Sequence, residues 1–254
     1  MNTSDIVRMK GKEAMVVLTC YDSNMAKILE EMNIDIILVG DSMGNVVLGY
    51  DSTRDVTVQD IARHTGAVRR GAVSSFIVAD MPYKSDETCD LAIENANSFL
   101  DAGADAVKVE GKPDVCKALA DNGIAVMGHV GLLPQTAENF KVKGKDSKEA
   151  EDIFNMALEL EKAGCFAIVL ESVPIELARK ITDSVKVPTI GIGAGSYCDG
   201  QVLVINDILG MFDQFKPKFV KRYANLNEQI KKAVSQYRKE VKKGEFPSDE
   251  YSFK

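Results

Sequence analysis

Seven short runs that are apolar on both faces, rich in Val, Ile, Ala and Met, constrain this chain more than any other feature. They are Met15–Thr19, Ile36–Gly40, Phe76–Asp80, Ala106–Glu110, Ala125–His129, Ala167–Glu171 and Thr189–Gly193. A strand with one wet face alternates apolar and polar residues, whereas a continuously apolar run belongs in a parallel sheet covered on both sides. Segments of helical period separate the runs. Ser85 is placed to cap one such helix, whose apolar positions include Ala92, Ala96, Phe99 and Leu100. The joints repeat as well: Asp101-Ala-Gly103, Asp121-Asn-Gly123 and Lys162-Ala-Gly164 each stand two or three residues before a run. A glycine there can take the left-handed backbone that ends a helix. Repeated strand, helix, glycine and strand imply a parallel sheet with right-handed crossovers.

An eighth strand would close such a sheet into a (β/α)8 barrel; an open doubly wound sheet is the alternative. Val202–Ile205, between Asp199 and Gly210, is expected to be a short seventh helix. Strand eight is then expected at Phe219–Tyr223, and helix eight from Asn225 to about Lys243, with an apolar stripe at Leu226, Ile230, Val234, Tyr237 and Val241. The expected organisation is one barrel domain over residues 1–254, with a short polar tail from about 244.

Composition narrows the function. The 254 residues are 45% hydrophobic, enough for a substantial core, and the formal charge is 31 − 38 = −7. That balance lacks the clustered basic face of a nucleic-acid binder. Met1 to Gly11 is polar, without the apolar stretch of a signal peptide, and runs such as Ile34–Val39 are too short for a membrane span. Cys20, Cys89, Cys116, Cys165 and Cys198 are scattered singly, as expected of reduced thiols in a cytoplasm. The turn Gly191-Ile-Gly193-Ala-Gly195 fails the dinucleotide fingerprint, because Ser196 stands where the last glycine is needed.

In a (β/α)8 barrel the reactive groups sit at the C-terminal ends of the strands. Here the runs finish in Asp41-Ser42, Asp80, Lys108-Val109-Glu110, His129 and Glu171. A charge ending a buried run is costly unless it is paired or meets a ligand. Asp41, Asp80 and Glu110 are hard oxygen donors and favour Mg2+; the alternative is that they cap helices or pair with Lys108. Lys108 and Glu110, two apart, point to the same side. The lysine can hold a substrate carboxylate, form a Schiff base, or pair with Glu110. His129 can bond a substrate oxygen or move a proton, and His64 is expected to be structural. Glu171, against apolar neighbours and before Ser172-Val-Pro174, can act as a general base or as a helix cap.

Nine stretches carry a resemblance that covers nearly the whole chain. They are Leu18-Thr-Cys-Tyr-Asp22, Val39-Gly-Asp-Ser-Met-Gly44, Val47-Leu-Gly-Tyr-Asp-Ser-Thr53, Ala79-Asp-Met-Pro82, Val107-Lys-Val-Glu-Gly111, Gly128-His-Val-Gly-Leu-Leu-Pro-Gln135, Leu170-Glu-Ser-Val-Pro174, Gly191-Ile-Gly-Ala-Gly195 and Asp199-Gly-Gln201. In order and approximate spacing the set resembles the ketopantoate hydroxymethyltransferase family. One departure is Tyr50, where that family would carry histidine; it touches none of the expected ligands.

The resemblance implies a barrel of the phosphoenolpyruvate/pyruvate-like type. It implies transfer of a hydroxymethyl group from 5,10-methylenetetrahydrofolate to 3-methyl-2-oxobutanoate, through a Mg2+-stabilised enolate, to give ketopantoate for pantothenate synthesis. By the same resemblance Asp41, Asp80 and Glu110 would hold Mg2+, directly or through water. Asp41 and Asp80 would border the substrate, Ser42 and Lys108 would bind the keto-acid carboxylate, His129 would line the pocket, and Glu171 would accept the proton. The small molecules and other copies of the chain, in a ring-based homo-oligomer such as a decamer, would be its partners. Two other readings compete. A mutase or lyase of the phosphoenolpyruvate mutase and isocitrate lyase kind would need a lid with a catalytic cysteine or equivalent group, and Cys116 and Cys165 lie too far from the strand ends. A catalytically silent barrel would have no reason to keep six ionisable strand ends.

Overall fold

The computed structural model describes residues 1–137, 139, 141–212 and 217–254. Chain contacts divide it into two units, Met1–Val204 and Ile205–Lys254. In the first, eight parallel strands close in sequence order into a barrel, β1 pairing with both β2 and β8. The strands are β1 (Met15–Thr19), β2 (Ile36–Val39), β3 (Phe76–Asp80), β4 (Ala106–Glu110), β5 (Val126–Gly131), β6 (Ala167–Glu171), β7 (Thr189–Ile192) and β8 (Gly200–Leu203). The helices of this unit are α1 (Thr3–Met9), α2 (Ser23–Glu31), α3 (Val58–Gly71), α4 (Cys89–Ala102), α5 (Pro113–Asp121), α6 (Ser147–Lys162) and α7 (Ile175–Ser184). No helix among the described residues is long and apolar enough to cross a membrane.

The two-residue period of the strands explains the interior. Met15 and Val17, Ile36 and Leu38, Phe76 and Val78, Ala106, Met127, Ala167 and Val169, Ile190 and Val202 form one buried cluster with Ile6 of α1. These are every second residue of their strands, so they point inward together. Phe76 meets Phe166 edge-on at 5.7 Å between centroids. The residues between them, such as Ile37, Ile77, Val107 and Ile168, are also fully buried and face outward beneath the helical layer. Both faces are thus dry, which is why these runs read as continuously apolar.

Six of the seven expected runs match observed strands to within a residue at each end; β5 ends two residues later, at Gly131. The glycine joints also stand, with positive φ at Gly103, Gly123 and Gly164. The cap of α4 is corrected: Thr88, not Ser85, accepts from Leu91 N, because Ser85 is taken up in a turn closed by its N–H on Pro82 O.

Strand eight and helix seven of the barrel count are corrected as well. Strand eight is Gly200–Leu203, not Phe219–Tyr223, and the segment expected as helix seven splits between β8 and a short α8 (Ile205–Ile208). Asp199 does not cap a helix. Its carboxylate accepts from Lys10 Nζ, Gly11 N and Thr189 N at 2.9, 3.1 and 2.9 Å, and its carbonyl from Met15 N, so that it ties β8 into place. A four-residue strand containing Gly200 and Gln201 carries little apolar signal. The glycine is there for proximity: a Cβ at Gly200 would stand 2.8 Å from Met15 Cβ.

In the second unit α8 is followed by α9 (Leu226–Lys243), which starts after Asn225 as expected and ends at Gly244 with φ 70°. Phe219–Tyr223 is irregular, and Tyr223 N donates to Ile208 O. Tyr237 on α9 packs edge-on against Phe246 at 5.5 Å, and Phe246 meets Tyr251 at 5.8 Å.

The close approach of β8 to β1 yields a test. Gly200→Ala forces those strands apart and should lower stability by about 1–3 kcal/mol, the usual cost of overpacking. Denaturant unfolding measures it; a wild-type midpoint would show that β8 is not held so tightly.

Candidate active site

The inward rows that fill the lower barrel with apolar side chains continue upward into ionisable ones. Two residues beyond Val78 comes Asp80; beyond Ala106 come Lys108 and Glu110; beyond Met127 comes His129; beyond Val169 comes Glu171. Parallel register then decides which of them meet. Asp80 lies beside Lys108 and Glu110 beside His129 on neighbouring strands. Lys108 Nζ accordingly donates to Asp80 Oδ1 at 2.6 Å, with the two side chains only 7% and 4% exposed. His129 Nδ1 stands 3.8 Å from Glu110 Oε1, and its Nε2 stands 3.3 Å from Glu171 Oε2. Neither contact meets hydrogen-bond geometry, so both ring nitrogens are buried without a hydrogen-bond partner among the described residues.

The β2 end adds Asp41 and Ser42. The backbone N–H of Asp41 donates to Asp80 Oδ2 at 3.0 Å, which brings the two carboxylates to one corner. This needs Gly40, where a Cβ would sit 2.9 Å from Ser42 Oγ and 3.4 Å from Asp80 Oδ2. Ser42 Oγ is 2.9 Å from the hydroxyl of the buried Tyr21. Every site residue expected from the sequence therefore lies at this rim: Asp41, Ser42, Asp80, Lys108, Glu110, His129 and Glu171. The pairing differs from one expectation, since Lys108 bonds Asp80 rather than its strand neighbour Glu110. His64, on α3, is structural: its Nδ1 bonds Tyr21 O at 2.5 Å.

Sequence reasoning gave no role to Gln135, which the fold places at the centre. It is buried in the loop after β5, and its side-chain amide donates to Asp41 Oδ2 at 2.9 Å and to Met81 O at 2.8 Å. Its backbone N–H donates to Glu110 Oε2 at 3.2 Å. The only signal was its place at the end of the Gly128–Gln135 stretch.

Electrostatics follow from burial and crowding. Burial, with Asp80 close by, pushes the Asp41 carboxyl up to about 7. Burial pushes Glu110 up to about 9, against the pull of Lys108. Burial alone would pull the Lys108 ammonium down, but Asp80, Asp41 and Glu110 outweigh it and the net shift is upward, so it stays charged. Burial pushes His129 down, which favours the neutral ring. Lysine thus only partly offsets the acids, and the corner is short of positive charge.

Hard carboxylate donors lacking positive charge suit Mg2+. Among the described residues no three His, Cys, Asp or Glu side chains converge on one point as a ready cage. Mg2+ needs none, since it is usually held by one or two carboxylates with water and substrate oxygens completing its shell. Two cavities adjoin the corner. One of about 520 Å3 is lined by His129, Leu133, Ile153 and Met156, among others. The other, about 440 Å3, is lined by Glu110, Gln135, Tyr83 and Lys112, among others.

Residues 1–249 match the model of the ketopantoate hydroxymethyltransferase family. The 3-methyl-2-oxobutanoate hydroxymethyltransferase of Thermotoga maritima is 52% identical over 260 residues, covering 100% of this chain and 96% of that one. The enzyme of the same name from Syntrophus aciditrophicus is 50% identical over 262 residues, covering 100% and 96%. Among solved structures, phosphonopyruvate hydrolase superposes with a TM-score of 0.65 at 13% identity, covering 100% of this chain and 92% of that one, which speaks for the barrel alone. The chain is an enzyme of the transferase class and belongs to the ketopantoate hydroxymethyltransferase family.

Proposed function

We propose that this enzyme transfers the one-carbon unit of 5,10-methylenetetrahydrofolate to 3-methyl-2-oxobutanoate, giving ketopantoate for pantothenate synthesis. The observation that carries the reading is the rim itself: buried acids short of positive charge, facing a buried lysine, a neutral histidine and Glu171. Asp41, Asp80 and Glu110 would hold Mg2+, directly or through water. Bound there, the ion supplies the positive charge that lowers the energy of an enolate of the keto acid.

The chain's own groups do the rest. Lys108 and Ser42, the latter oriented by Tyr21, bind the keto-acid carboxylate. Glu171 takes the C3 proton; its Oε2 stands 3.3 Å from His129 Nε2, and its side chain is 18% exposed. His129, kept neutral, has one N–H to offer a substrate oxygen or the Glu171 carboxylate. Water releases the methylene carbon of the folate as formaldehyde, with tetrahydrofolate leaving; the C3 carbon then attacks that carbonyl, and its oxygen takes a proton to give the hydroxymethyl product. The cavity beside His129 offers room for the larger partner, within the usual range of ligand cavities. Five free cysteines fit a cytoplasmic enzyme, and assembly into a ring-based homo-oligomer is carried over from the family.

A proton-NMR assay in D2O tests the reaction. Mg2+-dependent loss of the C3 proton signal from the keto acid is expected, with ketopantoate only when the folate is present; no exchange and no product would overturn the reading. Glu171→Gln should keep metal and keto-acid binding while slowing exchange by about 10²–10⁴-fold, the usual worth of a general base. Exchange at the wild-type rate would remove Glu171 from that role. Asp80→Ala should weaken Mg2+ and keto acid together. It also leaves Lys108 buried without its partner, at a cost of about 3–5 kcal/mol. An unchanged metal titration would exclude Asp80 as a ligand.

The raised acids make stability depend on pH. Asp41 and Glu110, up from 3.8 and 4.5 to about 7 and about 9, keep protons in the folded chain that the unfolded chain has already lost. Stability of the metal-free protein should therefore fall as pH rises from the ordinary carboxylate range through these values. Thermal melts against pH should show the fall, and Glu110→Gln should flatten it. A wild-type profile without it would show these acids to be ionised at no cost.

A further inference from the structure

Gln135 makes contacts that the reaction as derived does not use. Its amide nitrogen faces two oxygens, Asp41 Oδ2 at 2.9 Å and Met81 O at 2.8 Å. A backbone carbonyl cannot donate, so the nitrogen end of the amide must lie on that side and both of its hydrogens are committed. The same residue's backbone N–H reaches Glu110 Oε2 at 3.2 Å. One residue on the loop after β5 therefore touches the carboxylates at the ends of β2 and β4, and the chain just past β3.

That loop is itself held from elsewhere. Arg54, in the 3-10 turn Thr53–Asp55 before α3, donates from Nε to Gln135 O at 2.7 Å and from Nη2 to Ala137 O at 3.0 Å. Its guanidinium also lies 5.5 Å from the Tyr83 ring centroid, over the loop after β3. A guanidinium can span two carbonyls in this way because its donors are fixed in a planar fork. The contacts join the loops after β2, β3 and β5, whose sequence separation is large.

We propose that Gln135 is a positioning residue for the acid corner, and that Arg54 is the latch that holds it there. The amide and the N–H of Gln135 fix the Asp41 and Glu110 carboxylates in the arrangement that receives the cation and the keto acid. Partners of this kind set the orientation of a ligand without touching the ion, and their loss typically lowers metal affinity about 10–100-fold. The inference deepens the reading given above and rests on it for the identity of the ion and substrate.

Gln135→Leu keeps an apolar body of similar size and removes the amide. Isothermal titration with Mg2+ in the presence of 3-methyl-2-oxobutanoate should show affinity lowered about 10–100-fold. KM for the keto acid in C3 exchange should rise in step, while the exchange rate at saturating metal and keto acid stays near wild type. Arg54→Ala, at an exposed position, should shift both binding constants the same way by a smaller factor and spare the melting temperature. A merely structural role would lower the melting temperature and leave binding and KM alone. Gln135→Leu binding Mg2+ and keto acid as wild type does would overturn the proposal; if that variant does not fold, unchanged binding in Arg54→Ala does so. Absence of exchange in the wild type would instead remove the reaction, and the metal titration would still decide the role of Gln135.

Discussion

The bond between Lys108 and Asp80 is the contact on which the rim depends. Lys108 is the one buried lysine or arginine among the described residues, and it faces Asp41, Asp80 and Glu110. Burying an ion pair costs desolvation that its Coulomb attraction offsets only with good geometry and further hydrogen bonds. The 2.6 Å contact and the Asp41 N–H on Asp80 Oδ2 supply these for Asp80. They do so for one acid only. Asp41 and Glu110 remain pushed upward, so the folded chain keeps a corner where added positive charge would be favourable.

A closed parallel barrel is what makes such a corner affordable. The inward rows of β3, β4, β5 and β6 are apolar at the α1 end and ionisable at the other, so one end of the barrel is given to packing and the other carries the charged groups. Lateral register turns sequence positions into neighbours: Asp80 with Lys108, and Glu110 with His129. The separation explains how a core of Ile, Met and Phe side chains can sit directly below buried carboxylates. Local sequence choices and the global fold agree, as expected of a chain with one preferred structure.

What was legible in the sequence was what repeats locally. Continuous apolar runs, glycine joints and ionisable strand ends each have a short-range signature, and they gave seven strands and the six ionisable groups that the fold brings to one rim. β8 escaped because its glycine and glutamine answer to Met15 and to the turn at Gly195 rather than to any pattern of their own. Phe219–Tyr223 attracted the assignment instead, since an aromatic and β-branched run looks like a strand wherever it occurs. The partners of Gln135 lie 25, 54 and 94 residues away, and Arg54 is 81 residues from it. No periodicity in the sequence reports contacts of that kind; only the closed barrel brings them together.

The same geometry separates the acids by task. Asp80 is bound by Lys108, and Asp41 and Glu110 are bound by Gln135. Carboxylate oxygens that already accept hydrogen bonds can take a substrate proton only by giving those bonds up. Glu171 has His129 Nε2 3.3 Å from Oε2, and at 18% it is the most open of the four side chains. Three of the five cysteines are held protonated: burial pushes Cys20 and Cys198 up to about 11, and Cys116 is pushed up as well by its contact with Cys165 and by burial. Thiols held protonated are weak nucleophiles, which counts against a lid-and-cysteine mechanism on this barrel. Proton abstraction by Glu171, beside a neutral histidine and above three anchored acids, is the chemistry we propose for this rim.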